Sequence, residues 1–302
     1  MNLGIIDSYS SDFASFGDFG PQQVGNSLTI TGANFAEIAA LNSNTIAIYS
    51  GALGELRTYQ FDGTNWTLVG NAFSLTLPGG GSIDICKLTA NSIVRNGSSI
   101  DALQVYEWDG SDWSFDFSSN LSSTGFNYQM VAMTETRIAQ VFELNPDRLQ
   151  AYDIVTELEA FSWSAVGNFF NLDVDTPPVV TLPTVARLSN ARVAVYDQSR
   201  RYLRTMEFDG ADWSQIGNSL AIADAGNSDP DIAGLTTNRI AFVDESNDQL
   251  RLYVFDGSDW SQEGASYSLG SLADPSITAL SPTRVVVYNR TGTTLTTYDL
   301  YT

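Results

Sequence analysis

No histidine occurs anywhere in these 302 residues. Without one, no Ser-His-Asp or Cys-His catalytic set can form, and the commonest general base near neutral pH is missing. Cysteine occurs once, as Cys86 between Ile85 and Lys87. A single thiol builds neither an internal disulfide nor a cysteine metal cluster, and its place in an apolar stretch suits packing. Positive charge is scarce: Lys87 is the one lysine, and all 14 bases stand against 35 acids, a net −21. Such a chain repels nucleic acid and anionic membranes. Its acidity serves solubility in a salty or crowded setting, or else a cationic partner. No apolar run is long enough to span a membrane as a helix, and the opening Met1–Asp7 lacks the basic stretch of a secretion signal. The expected location is a virion or other extracellular surface reached without such a signal; the alternative is the cytoplasm.

What the chain has is a repeat. Trp66, Trp113, Trp163, Trp213 and Trp260 follow one another at intervals of 47, 50, 50 and 47 residues. Four of them close an Asp-Gly-x-Asp/Asn tract, beginning at Asp62, Asp109, Asp209 and Asp256. A second anchor, Leu41, Leu88, Met133, Leu188, Leu235 and Leu280, precedes a short turn and an apolar run such as Ile46-Ala47-Ile48-Tyr49. Six anchors mean six units. Each reads as four strands: a, ending at the anchor; b, the apolar run; c, alternating as in Leu250-Arg251-Leu252-Tyr253-Val254-Phe255; and d, after the Asp-Gly turn. Asp-Gly tolerates the positive φ of a tight reversal, and the second Asp or Asn is placed to cap the loop amides.

A unit this small cannot bury its own apolar face and must stack on its neighbours. The expected fold is therefore all-β, a six-bladed β-propeller of four-stranded antiparallel blades. The sixth unit stops at strand c, Leu295–Leu300, while Gln22–Leu28 near the start matches the strand-d segment Gln215–Leu220. The N-terminal segment is expected to complete the last blade and close the ring, which removes a free sheet edge. Residues 1–17 then form an arm and 18–302 a single propeller domain. The third unit lacks Asp-Gly and carries extra residues before Trp163, where a longer loop is expected.

The tract Val105-Tyr106-Glu107-Trp108-Asp109-Gly110-Ser111-Asp112-Trp113 and its copies resemble FG-GAP-like and WD-type propeller repeats of microbial surface and phage-associated proteins, particularly marine bacterial ones. The resemblance covers residues 18–302. It implies a fold rather than an activity, since propellers host many functions. The Asp-x-Asp-x-Asp-Gly loop of calcium-holding FG-GAP blades is absent, as are the kelch double glycine and the WD Gly-His, and the sialidase Asp-box has other offsets. The calcium and glycosidase functions of those families are not implied.

Two sets of residues offer chemistry. The Asp pairs of the turns, such as Asp256 with Asp259, could hold a hard cation, but a neutral Asn65 stands in the first copy, as suits a turn signature. The repeated tryptophans read as packing between blades rather than as sugar platforms. Four residues before each anchor lie Glu37, Asp84, Gln129, Thr184, Asp231 and Ser276, which should ring one channel mouth. Glu37, Asp84 and Asp231 could there hold Ca²⁺ or a cationic ligand, or simply line a hydrated mouth. Ala39, Ala186 and Ala233, two residues on, suit the narrow centre.

Strand order puts the a–b and c–d turns on one face and the b–c and d–a loops on the other. The second face varies from blade to blade, and binding on scaffolds concentrates in such loops. Its candidate binding residues are Arg148, Arg200, Arg201, Asp173 and Asp229. Arg137, Arg192, Arg239 and Arg284, each opening a strand b, are expected to reach turn carboxylates or Trp faces. No catalytic residue, cofactor or metal site is expected. The expected function is a non-enzymatic structural or recognition protein, a virion decoration, fibre or adhesin module, with other protein subunits or a host-surface glycan or protein as partner. An intracellular interaction scaffold is the alternative, and a carbohydrate-binding or carboxylate-dependent glycoside-active propeller the third reading.

Overall fold

The computed structural model describes residues 20–34, 36–75, 83–97, 102–120, 126–143, 147–157, 160–172, 183–198, 200–222 and 230–300. The expected arm, 1–17, lies outside them. Strand β1 is Gln22–Thr29. Blade 1 follows as β2 Ala36–Asn42, β3 Thr45–Ser50, β4 Glu55–Phe61 and β5 Trp66–Ser74. Blade 2 comprises β6 Ile83–Thr89, β7 Ser92–Gly97, β8 Ala102–Trp108 and β9 Trp113–Asn120. Blade 3 comprises β10 Phe126–Thr134, β11 Arg137–Glu143, β12 Arg148–Glu157 and β13 Ala160–Asn171. Blade 4 comprises β14 Thr184–Arg187, β15 Arg192–Asp197, β16 Tyr202–Phe208 and β17 Trp213–Ala221. Blade 5 comprises β18 Asp231–Thr236, β19 Arg239–Asp244, β20 Gln249–Phe255 and β21 Trp260–Ser268. Blade 6 comprises β22 Pro275–Ser281, β23 Arg284–Asn289 and β24 Thr294–Asp299. Its fourth strand is β1, antiparallel to β24 with Gln22 opposite Asp299 and Leu28 opposite Leu295.

Each strand type has the burial its composition demands. Strand b is covered on both faces by neighbouring blades, so Thr45–Ser50 and Arg239–Asp244 are buried at every position. Such strands need a continuous apolar run rather than alternation. Strand d is the outer edge: in β5, β17 and β21 a buried Trp is followed by exposed and half-buried positions. The core is six separate layers, one between each pair of blades. Between blades 4 and 5, for example, Tyr196, Leu203 and Leu188 meet Phe242, Phe255 and Trp260. The layer between blades 6 and 1 packs Val286, Tyr288 and Leu295 against Ile46, Ile48 and Trp66 and closes the ring. All six anchors, Leu41, Leu88, Met133, Leu188, Leu235 and Leu280, are buried in these layers.

Blade 3 departs from the expected longer loop. Its extra residues lengthen the c–d hairpin itself: β12 runs 10 residues and β13 runs 12, with Glu157 opposite Ala160. Once the ladder is in register, extra residues added equally to both strands extend it without breaking a hydrogen bond.

Candidate functional site

The Asp-Gly face is taken up by its own architecture. In each turn the first aspartate caps the loop. Asp256 Oδ1 accepts from the amides of Ser258 at 2.8 Å and Asp259 at 2.7 Å. Asp62, Asp109 and Asp209 do the same, and these bonds hold all four carboxyls below the usual aspartate range. The second acid was expected to do the capping; instead it faces the preceding blade. Asn71 of β5 donates its Nδ2 to Asp112 at 2.8 Å and its backbone amide to the Ser111 carbonyl at 3.3 Å. Asn26 reaches Asn65, Asn168 reaches Asp212 and Asn218 reaches Asp259 in the same way. The residue before each of these asparagines is glycine. Gly70 has φ +69°, and a Cβ there would lie 1.7 Å from the Ser111 carbonyl oxygen. Four turns thus meet four Gly-Asn latches, and one latch, Gly25-Asn26, sits on β1.

The tryptophans pack between blades and three are hydrogen-bonded. Trp66, Trp113 and Trp260 donate Nε1 to Thr297, Thr58 and Thr205 of the preceding blade at 2.8–2.9 Å. At the matching positions facing Trp163 and Trp213 stand Val105 and Ala151, and neither indole nitrogen has an acceptor among the described residues. The strand-b arginines find acids and rings, though not the expected ones. Arg137, Arg192 and Arg284 pair with Asp153, Glu207 and Asp299, the residues directly opposite on strand c. Val254 lies opposite Arg239, which turns instead to Glu263 of strand d. Arg137 and Arg284 also cover Phe208 and Phe61 of the next blade, at 5.0 and 5.9 Å from the ring centroids. The turn carboxylates are already engaged, which leaves the strand acids as partners.

At the other face the inner strands surround a channel cavity of about 250 Å³ lined by Glu37, Asp84, Gln129, Asp231 and Ser276, with Ala39, Ala186 and Ala233 deeper. Thr184, the sixth residue of the expected ring, is buried and does not line the cavity. Several ring residues bond to the next blade: Asp84 accepts from Met130 N at 2.5 Å, Asp231 from Ile277 N at 2.8 Å and Gln129 from Val185 N at 3.3 Å. Glu37 points the other way, to Ser276 Oγ at 3.0 Å and to Arg290. Arg290, in the b–c loop of blade 6, also pairs with Asp274 and donates to the Ala36 carbonyl at 2.9 Å. Burial pushes all three carboxyls up: Asp231 to about 7, with the Glu37 charge adding to it, and Asp84 well above its usual range. Glu37 rises as well, although Arg290 pulls it back. Among the described residues no group of three metal-ligating side chains is placed to hold a metal ion. The ring acids are spent on amides and on Arg290, a residue sequence reasoning passed over.

Of the loop-face candidates, Asp173 and Asp229 lie outside the described residues. Arg148 opens β12 in blade 3, Arg200 and Arg201 precede β16 in blade 4, and Arg200 reaches across to blade 3. The Leu172 carbonyl, at the end of blade 3, accepts from Arg204 at 2.8 Å and from Arg200 at 3.4 Å. Asp197 is 3.6 Å from Arg204 and 4.0 Å from Arg200. Arg201 takes φ +58° so that its carbonyl accepts the Ile222 amide at 2.8 Å. Arg148 lies 4.1 Å over the ring of Phe169, which is 49% exposed. Tyr202, 36% exposed, sits beside Arg204. The arginines are thus tied into the framework, while Phe169 and Tyr202, unseen from sequence, are the side chains presented outward.

No family model matches the sequence, and no curated protein matches it. Solved structures share its fold. Virginiamycin B lyase from Staphylococcus aureus superposes with TM-score 0.56 at 9% identity, over 93% of this chain and 99% of that one. The Cps50 (Swd1) β-propeller domain of Myceliophteria thermophila gives 0.58 at 9%, over 91% and 99%. A Lactobacillus plantarum protein gives 0.57 at 11%, over 86% and 78%. At such identities the likeness shows the fold alone. It nonetheless corrects one expectation. Streptogramin B lyases are enzymes built on this architecture, so the chain's fold and its lack of an obvious catalytic set do not make it a non-enzyme.

Proposed function

We propose that the chain is a recognition module that contacts a protein or surface glycan through its loop face. The observation that carries this reading is the patch on blades 3 and 4, where exposed Phe169 and Tyr202 stand against Arg148 and Arg204. Aromatic and arginine side chains held rigidly side by side are the composition of binding hot spots. The opposite face has its turn carboxylates and amides engaged, within each turn and across to the preceding blade. The net charge of −21 disfavours nucleic acid as the partner. No helix among the described residues is long and apolar enough to cross a membrane. The resemblance to phage-associated and marine surface repeats favours display on an outer surface, a virion among them.

Two assays test this. Mass spectrometry of purified virus particles should find the chain at fixed stoichiometry. A glycan array probed with the purified protein should give binding that the Phe169→Ala, Tyr202→Ala double variant loses and Asp112→Asn keeps. Binding that survives the double variant, or is lost in the turn variant, contradicts the proposed face.

A further inference from the structure

Four arginines are buried: Arg95, Arg204, Arg239 and Arg251. Three have a carboxylate, in Asp197, Glu263 and Asp244. Arg95, 2% exposed, pairs with none among the described residues. It stands on β7 where the same position of strand b carries Ile48 in blade 1, Val195 in blade 4 and Val287 in blade 6. A guanidinium therefore replaces an aliphatic side chain in the layer between blades 1 and 2. Its Nη1 donates to Gln104 Oε1 at 2.8 Å and to the Tyr106 hydroxyl at 3.4 Å. Its carbon lies 4.9 Å above the Tyr49 ring. Nε and Nη2 are buried with no acceptor among the described residues, and the Tyr49 hydroxyl faces the same guanidinium with no other partner there. In Arg137 and Arg284 that same Nε/Nη2 edge grips Asp153 and Asp299 bidentately. Burial pushes the Tyr49 and Tyr106 phenols up, so neither ring supplies a negative charge at neutral pH.

A buried cation with no counter-ion costs far more than a paired one. We propose that the layer between blades 1 and 2 is a site for a small monovalent anion, a halide or a small carboxylate, held on the Nε/Nη2 edge of Arg95 beside the Tyr49 hydroxyl. An acidic chain in a salty medium would meet such an anion at high concentration, and a ligand bound only by the folded state stabilises it by mass action.

The test is melting temperature at fixed ionic strength, with sodium gluconate exchanged stepwise for sodium chloride or sodium acetate. Above saturation the midpoint should climb roughly 2 °C per tenfold rise in free anion concentration. The chloride and acetate arms separate the two ligand chemistries. Arg95→Ile, which restores the residue type of blade 1, should melt at one temperature throughout. Crystals of the wild-type protein grown in bromide or in acetate give a second readout that does not depend on the variant folding. Anion density against Arg95 Nε and Nη2 is expected. A flat wild-type midpoint in both series, or a carboxylate of the chain itself on that edge, overturns the proposal.

Discussion

Exchanging one methyl for one hydroxyl at two matching positions should have opposite consequences. Thr58 receives the Trp113 indole N–H at 2.8 Å inside a dry layer, and Val105 faces Trp163 with nothing to offer its indole. In Thr58→Val the Trp113 nitrogen loses its acceptor, which costs about 1–3 kcal/mol for a buried donor. The added methyl returns about 0.8 kcal/mol. A net loss of about 1–2 kcal/mol follows. In Val105→Thr the terms reverse, because the new oxygen meets a waiting donor. That variant should stay within about 0.5 kcal/mol of the wild type or exceed it. Val285→Thr, equally buried but in the layer between blades 5 and 6, whose cluster contains no tryptophan, is the control and should lose about 1–3 kcal/mol. Urea unfolding followed by tryptophan fluorescence resolves these differences if the slope is unchanged. Equal losses at Val105 and Val285, or no loss at Thr58, would refute the reasoning.

The latches give a second comparison: Gly70→Ala sets a Cβ against a carbonyl, whereas Gly264→Ala meets open space at a similar φ, +70°. Thermal melts should show the Gly70 variant losing several kcal/mol and the Gly264 variant only about 1 kcal/mol. Deleting residues 1–28 removes most of β1 and with it the Asn26 latch, so size-exclusion chromatography should show aggregation or calorimetry a much lower midpoint. Asp231 has a folded pKa raised to about 7, so its protonated form stabilises the fold below the unfolded value near 4 and that contribution fades as pH rises through 7. Asp231→Asn should flatten the decline in stability between about pH 4 and pH 7 in a melting series; a wild-type decline left intact would count against the burial argument.

The architecture was open to reading because its signals are periodic. A buried strand b, an alternating strand c and a Trp-led strand d recur at one spacing, and the match of Gln22–Leu28 to Gln215–Leu220 located the closing strand. The latches were written in the same residues, as Gly25-Asn26, Gly70-Asn71, Gly167-Asn168 and Gly217-Asn218. Their partners lie about a blade away along the chain, so the pairing shows only once adjacent blades are laid side by side. Two units without an Asp-Gly turn, the third and the sixth, are also the ones whose preceding strand d lacks Gly-Asn, a covariation inside one chain that could have revealed them. The phase of the ring acids was readable, but their bonding was not, because Arg290 belongs to a loop that occurs once. The bonding of the loop arginine Arg200 was not legible, because its ties to Asp197 and Leu172 depend on how two blades meet. Phe169 carries no sequence mark that separates it from the half-buried Phe170 beside it in β13.

Hydrogen–deuterium exchange of the protein, alone and saturated with the glycan or particle component that binds it, tests the recognition face most directly. The account predicts added protection in β12, β13 and the start of β16, around Arg148, Phe169 and Tyr202. Protection confined to the turns at Asp62, Asp109, Asp209 and Asp256 would contradict it.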